Sequence, residues 1–285
     1  MATLREIKRR ISSVKSTQQI TKAMKMVAAA RLRRAQENIL KARPYAYKID
    51  TVLTNLASKV DRNLHPLLDK RDPKSMAVVC VTSDRGLCGG FNTNIIRQTK
   101  HYFEECEIEN KVLINIGFKG WNHFKKRDYN IIGEYTRFFS DLEFAHANRI
   151  GHQLIDLYLQ KKLDKVVLIY NEFKSVLQQK IVVEDLLPIE PQEEEKKAVI
   201  DYIYEPEPVK ILDAITPLHI NIQIWRVLLE SYASEMAARM NAMENATDNA
   251  QEMIESLVML YNRIRQATIT KEISEIVGGA EALKG

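Results

Sequence analysis

The chain has 285 residues, 45% of them hydrophobic, and a net charge of +5. It can bury a core in one large domain or two smaller ones, and it lacks the run of about 18 apolar residues that a membrane-spanning helix requires. Its three cysteines, Cys80, Cys88 and Cys106, show no metal-type spacing and read as reduced, cytosolic thiols rather than a disulfide framework.

Residues 1–49 carry thirteen Lys/Arg against only Glu6 and Glu37. Residues 205–285 carry seven Lys/Arg against twelve Asp/Glu, so the two ends are electrostatically complementary. A basic, amphipathic start fits nucleic acid, an acidic protein surface or a mitochondrial transit peptide. Against the last, the pattern runs past residue 40 without a change of character. Across residues 3–59 there is one proline, Pro44, and no glycine. Apolar or small residues recur at spacings of three and four, from Leu4, Ile7, Ile11 and Val14 to Ala28, Leu32, Ala35, Ile39 and Ala42. That is a heptad seam. It lapses at Gln18, Thr21 and Lys25, where apolar character moves to Ile20, Met24 and Val27. Pro44 is expected to kink or break the helix.

Between residues 75 and 205 the period changes. Strand-like runs occupy 76–82, 111–116, 129–135, 165–173 and 179–187, with a further candidate at 198–205. Helical stretches fall near 92–106, 118–127 and 141–161. Alternation of this kind predicts a mainly parallel sheet covered by helices. The stretch 188–197 reads as an acidic, solvated loop. After the first strand comes Ser83–Asn92, SDRGLCGGFN. It lacks the Gly-Lys-Ser/Thr ending of a P-loop, and its glycines at 86, 89 and 90 do not match Gly-x-Gly-x-x-Gly. A tight turn where backbone approaches another surface is the alternative to nucleotide binding.

Residues 209–277 contain no glycine and one proline, Pro217. A second seam runs Leu229, Tyr232, Met236, Met240, Met243, Thr247, Ala250, Ile254, Leu257, Tyr261 and Ile264. The first helix is its natural partner. Because the sheet domain is inserted between them, the two helices must run antiparallel. The first offers about 80 Å and the second about 110 Å, so roughly 30 Å of the second should project unpaired. The projecting part carries Ile269, Ile273, Ile276, Val277 and Leu283. A lone helix with that surface is sticky in water, and something must surround it.

Catalytic constellations do not stand out. The histidines at 65, 101, 123, 146, 152 and 219 are scattered and read as partly exposed polar positions. Cys88 beside Arg85 at a helix start is either a low-pKa thiol or a small residue packed at an interface. Arg9, Arg10, Arg31, Arg33 and Arg34 fit phosphates or an acidic protein surface, but no aromatic residues interleave with them. Two rival readings, a Rossmann-like enzyme with helical arms and a basic coiled-coil nucleic-acid module, must each also explain the projecting tip.

The blocks ATLREIKRRISSVKSTQQITKAMKMVAAARLRRA, SDRGLCGGFN and RMNAMENATDNAQEMIESLVMLYNRIRQATITKEISEIVGGAEAL strongly resemble the gamma-subunit family of F-type ATP synthases, over the whole chain from residue 2. The resemblance implies an α/β fold plus a long antiparallel coiled coil, with N- and C-terminal helices flanking a Rossmann-like, mainly parallel sheet domain. Its segments would be 1–59, 75–205 (the foot) and 209–285. It also implies a mature N-terminus, so nothing is expected to be cleaved. The family role is a non-catalytic rotor shaft, one copy per three alpha and three beta subunits, seated with epsilon on the membrane c-ring. No cofactor, metal, nucleic acid or direct membrane insertion is implied, and the expected location is peripheral, on the cytoplasmic face of a bacterial membrane. Residue by residue, Met24 and the loop around Cys88 match positions near the acidic beta-subunit lever. Arg239 and Gln266 match contacts to the beta catch loops, with Thr270 and Glu272 nearby. Ile273 and Ile276 match the apolar upper bearing, and Tyr202 and Tyr204 the foot facing epsilon and the ring. Plant chloroplast members carry an inserted cysteine pair that this chain lacks, so no thiol switch is expected and a bacterial origin is favoured.

Overall fold

The computed structural model describes residues 3–59, 65–176, 178–189 and 207–282. The element order is α1 (Leu4–Lys59), β1 (Ser75–Val81), α2 (Phe91–Glu105), β2 (Asn110–Ile116), α3 (Phe118–Phe124), β3 (Ile131–Tyr135), α4 (Phe144–Leu159), β4 (Lys165–Phe173), β5 (Gln179–Leu187) and α5 (Pro208–Ala282). The expected class is observed: two long helices flank a mostly parallel five-stranded sheet. The strand expected at 198–205 and most of the acidic loop lie outside the described residues. By compactness the chain divides into a smaller unit, Met1–Val27 with Met240–Gly285, and a larger one, Ala28–Arg239.

In the larger unit the sheet order is β3-β2-β1-β4-β5. The first four strands pair in parallel, and β5 returns antiparallel to β4. The two-residue period of β1 sorts its side chains onto two faces. Ala77, Val79 and Val81 join the cluster built from α4, α5 and the Leu53 and Leu56 end of α1. Met76, Val78 and Cys80 join the opposite cluster with Phe91 and Ile95 of α2 and Phe124 of α3. A strand buried on both faces reads as a continuous apolar run, which is why MAVVCV was legible without alternation.

Two contacts fix α5 in this unit. A Cβ added at Gly151 of α4 would lie 1.9 Å from Asn221 Oδ1, so glycine is what lets α4 and α5 approach this closely. Arg226 of α5 donates to Glu184 of β5 at 2.6 Å and to the Tyr170 hydroxyl of β4 at 3.0 Å, while Tyr170 donates to Glu184 at 2.8 Å. Each member of this triad, Tyr170 buried and the other two half-buried, satisfies another, so α5 is held in register on the sheet. Leu32, Ala35 and Ile39 of α1 cluster with Leu229, Ala233, Met236 and Ala237 of α5, a small-and-large alternation suited to close helix packing.

The helix α1 runs through Pro44 without interruption, so of the kink or break expected there the break does not occur. Proline forfeits one N–H, and Pro44 is on the exposed face, where water can take the freed carbonyl while Ala42 and Ala46 keep the seam inward. Two histidines also differ from expectation. His65 and His219 are buried, at 5% and 7% exposure. His65 Nδ1 accepts the Leu67 N–H at 3.3 Å, and burial lowers its pKa against the pull of Asp213.

Candidate functional site

In the larger unit, the glycine-bearing loop leaves the C-terminal end of β1 at Thr82 and enters α2 at Phe91. Two residues hold it open. The Asp84 carboxylate accepts the backbone N–H of Phe118 at 3.0 Å and of Arg137 at 2.9 Å, tying the loop to the ends of β2 and β3. Ser83 donates its N–H to Asn92 Oδ1 at 2.9 Å and its hydroxyl to the Arg85 carbonyl at 2.6 Å. Leu87 and Gly89 are both left-handed, at φ 63° and 56°. Glycine takes this conformation freely, but leucine pays about 1 kcal/mol for it. Leu87 is nevertheless the exposed tip of the loop, at 66%.

The loop is closed off by α5. Arg239 Nη2 donates to the Gly86 carbonyl at 3.1 Å and the Arg85 carbonyl at 3.5 Å, while Nη1 pairs with Glu235 at 2.7 Å. Both members of that pair are buried, Arg239 at 9% and Glu235 at 4% exposure. Burial raises the Glu235 carboxyl, and Arg239 pulls it back down. A phosphate cradle turns backbone N–H groups toward its ligand. Here the loop turns carbonyls toward a guanidinium, the opposite polarity.

Cys88 sits inside this arrangement at 2% exposure. Burial pushes its thiol up, against the opposing pull of Arg239, so it is a packed residue and not the low-pKa thiol that was one of its alternatives. Cys80 on β1 is pushed up to about 12 by burial.

The smaller unit is a two-helix pair. Gln18 meets Gln251 at 2.9 Å, Thr21 meets Thr247 at 2.8 Å, and Lys25 meets Glu244 at 2.5 Å. The numbers of α1 rise as those of α5 fall, which makes the pairing antiparallel. These three α1 residues are where the apolar seam lapses. The seam therefore does not move to Ile20, Met24 and Val27: Ile20 and Val27 are exposed at 57% and 52%, and Thr21 is buried at 8%. Polar residues hold the seam positions because each finds a polar partner across the interface. The signal was present in the sequence, since 14, 18, 21, 25 and 28 continue the three-four spacing unbroken.

The same register places Thr3 opposite about residue 266, so among the described residues α5 continues unpaired for about sixteen residues, roughly 24 Å. Along it Ile269, Ile273, Ile276 and Val277 are exposed at 45%, 56%, 71% and 55%. Gln266, Thr270 and Glu272 are exposed as well.

The residues singled out from sequence thus fall into separate groups. Cys88 and Arg239 come together under the loop, and both are buried. Gln266, Thr270, Glu272, Ile273 and Ile276 share the unpaired end of α5, and Met24 is half-buried beside the polar ladder. Tyr202, Tyr204 and Leu283 lie outside the described residues. Leu87 was missed; an apolar side chain between glycines at a loop tip was the available signal. No group of His, Cys, Asp or Glu among the described residues is arranged to hold a metal, and no described helix is long and apolar enough to cross a membrane.

The family model described as ATP synthase matches residues 3–283. The ATP synthase gamma chains of Prosthecochloris aestuarii and Chlorobium phaeobacteroides are 52% and 51% identical over 291 aligned positions, each covering 100% of both chains. Among solved structures, a chain from the central stalk and c-ring of the Tetrahymena thermophila mitochondrial ATP synthase aligns with a TM-score of 0.61 and 28% identity, over 80% of this chain and 99% of that one. Matched end to end by such relatives, the chain belongs to the gamma chain family of the ATP synthases.

Proposed function

We propose that the chain is the central-stalk rotor of an F-type ATP synthase, a non-catalytic subunit that couples rotation of the membrane c-ring to ATP synthesis and hydrolysis on its partners. One copy serves three alpha and three beta subunits, with epsilon and the c-ring at its foot. It lies peripherally at the cytoplasmic face of a bacterial membrane. The observation that carries this reading is the unpaired end of α5. Four large aliphatic side chains stand in water on a helix without a partner, and such a surface calls for a sleeve. A sleeve of apolar loops lets Ile273 and Ile276 slide, whereas buried ion pairs there would hold one angle. Gln266, Thr270 and Glu272 are exposed on the same segment and suit polar contacts with catch loops of the beta subunits.

Coupling proceeds by population shift. A rotor whose faces differ makes different contacts with each beta subunit at each angle, and those differential contacts bias which catalytic site is open. On α1 the exposed basic residues Arg5, Lys8, Arg9, Arg10, Lys15 and Lys22 with exposed Ile20, Met26 and Val27 supply a face for an acidic, partly apolar lever. Within this reading Cys88 and Arg239 act from beneath the surface, through the loop they support, and Met24 from its edge. Tyr202 and Tyr204 are assigned to the foot on family resemblance.

Native mass spectrometry of the complex, isolated through a tag placed within 188–197, tests the proposal. One copy of this chain with three each of two larger nucleotide-binding subunits is the expected result. A bare monomer or homodimer under gentle extraction overturns it.

A further inference from the structure

We infer that Arg239 is a positioning residue that clamps the loop Ser83–Gly90 to α5, so that Leu87 is presented on a rigid mount. Three observations lead there. First, the loop tip is held in a conformation that leucine disfavours, at φ 63°, and such backbone persists only where its surroundings over-determine it. Second, the loop's own ties from Asp84, Ser83 and Asn92 reach as far as the Arg85 carbonyl at 2.6 Å and the Cys88 thiol at 3.2 Å, but among the described residues none of them reaches the Gly86 carbonyl beside the tip. Third, the contact next to the tip comes from α5, where Arg239 Nη2 donates to the Gly86 carbonyl at 3.1 Å and reaches the Arg85 carbonyl, already held by Ser83, at 3.5 Å. Glu235 aims that fork from one turn earlier on the same helix. A lysine in place of Arg239 keeps the charge but cannot reach two carbonyls and a carboxylate at once.

The consequence is mechanical. An exposed apolar side chain on a loose glycine loop would yield when pushed, but one clamped to α5 transmits the push to that helix. The clamp itself stands independently of the central-stalk reading, on which only the use of Leu87 as a partner contact rests.

Pulsed alkylation of the full chain with N-ethylmaleimide, read for each cysteine by mass spectrometry, tests the clamp. The Cys88 side chain, on the loop itself and packed inward at 2% exposure, reports its release, while Cys80 in β1, at 0% exposure, reports global unfolding. Arg239→Met is compared with the double variant Arg239→Met, Glu235→Gln, which removes the buried unpaired carboxylate that could unfold the single one. In both, labelling of Cys88 relative to Cys80 is expected to rise about tenfold or more, as for a local opening, with Arg239→Lys between them and wild type. A wild-type ratio in the double variant, whether both cysteines stay slow or both quicken together, overturns the clamp. A raised ratio in a chain that captures no larger subunits would leave the clamp standing and remove the rotor reading alone.

Discussion

Replacing Thr21 and Thr247 by valine, singly and together, tests how the polar ladder holds the helix pair. The two hydroxyls are 2.8 Å apart, and each also lies near a carbonyl of its own helix, Thr21 by Gln18 at 3.0 Å and Thr247 by Met243 at 2.7 Å; with one proton apiece, one hydroxyl donates across the interface and the other donates to its own helix. Either single variant removes one side of the cross-helix bond and places a methyl against the hydroxyl that remains. The expected loss is about 1 kcal/mol each. The double variant removes both polar groups and buries two methyls in their place, a gain of up to about 0.8 kcal/mol apiece that offsets the lost bond. It should therefore lie within about 0.5 kcal/mol of wild type, with a coupling energy near 1.5 kcal/mol. The readout is the denaturant midpoint of the full chain followed by helical circular dichroism, with the four members of the cycle at matched concentration. Additive losses, with the double variant near 2 kcal/mol below wild type, would refute the claim that these hydroxyls are coupled across the interface. Lys25 and Glu244, each more than a third exposed, should contribute only about 0.5 kcal/mol in the same assay.

Gly151→Ala should destabilise the larger unit by about 1–3 kcal/mol because its methyl meets Asn221, and Asn221→Ala in the same chain should recover most of the loss. An unrescued double variant would place the strain elsewhere. For His219, burial, aided by Arg226 and opposed by Glu184, lowers the pKa from 6.5 to about 4. A depressed imidazole binds its proton later in the folded state, so stability is full above pH 6.5 and falls by about 3 kcal/mol on going down to pH 4. His219→Leu should lack that component, and urea midpoints with the same pH slope in both proteins would show that another group is responsible. Ile273→Asp with Ile276→Asp should leave the chain within about 0.5 kcal/mol of wild type, since both side chains are already in water. In the assembled complex the same pair should depress ATP turnover, and unaltered turnover would remove the bearing role. Gln266→Ala should slow turnover about fivefold, the equivalent of losing a roughly 1 kcal/mol contact, while subunit ratios by native mass spectrometry stay unchanged.

Much of the fold is legible in the residues themselves because local rules agree. Continuous apolar runs bounded by turn residues marked β1 and β4, and the unbroken absence of glycine marked the two long helices. The unpaired tip followed from counting residues on either side of an inserted domain, which needs no coordinates. What the sequence could not settle is which polar residues are paired. Gln18, Thr21 and Lys25 look like a gap in a seam until Gln251, Thr247 and Glu244 stand opposite them, a match between residues more than 200 positions apart. Pro44 looks like a break until its exposure is known. The loop SDRGLCGGFN is ambiguous for the same reason: glycines grant a conformation without saying what it serves. Only the tertiary structure brings Arg239 to the carbonyls of Arg85 and Gly86. Periodicity and chain length are properties of neighbours in sequence, so the sequence by itself determined the kind and order of the described elements, though not that α1 continues through Pro44. Desolvation and pairing depend on neighbours in space, so burial of Cys88, His219 and Arg239 was decided by the fold.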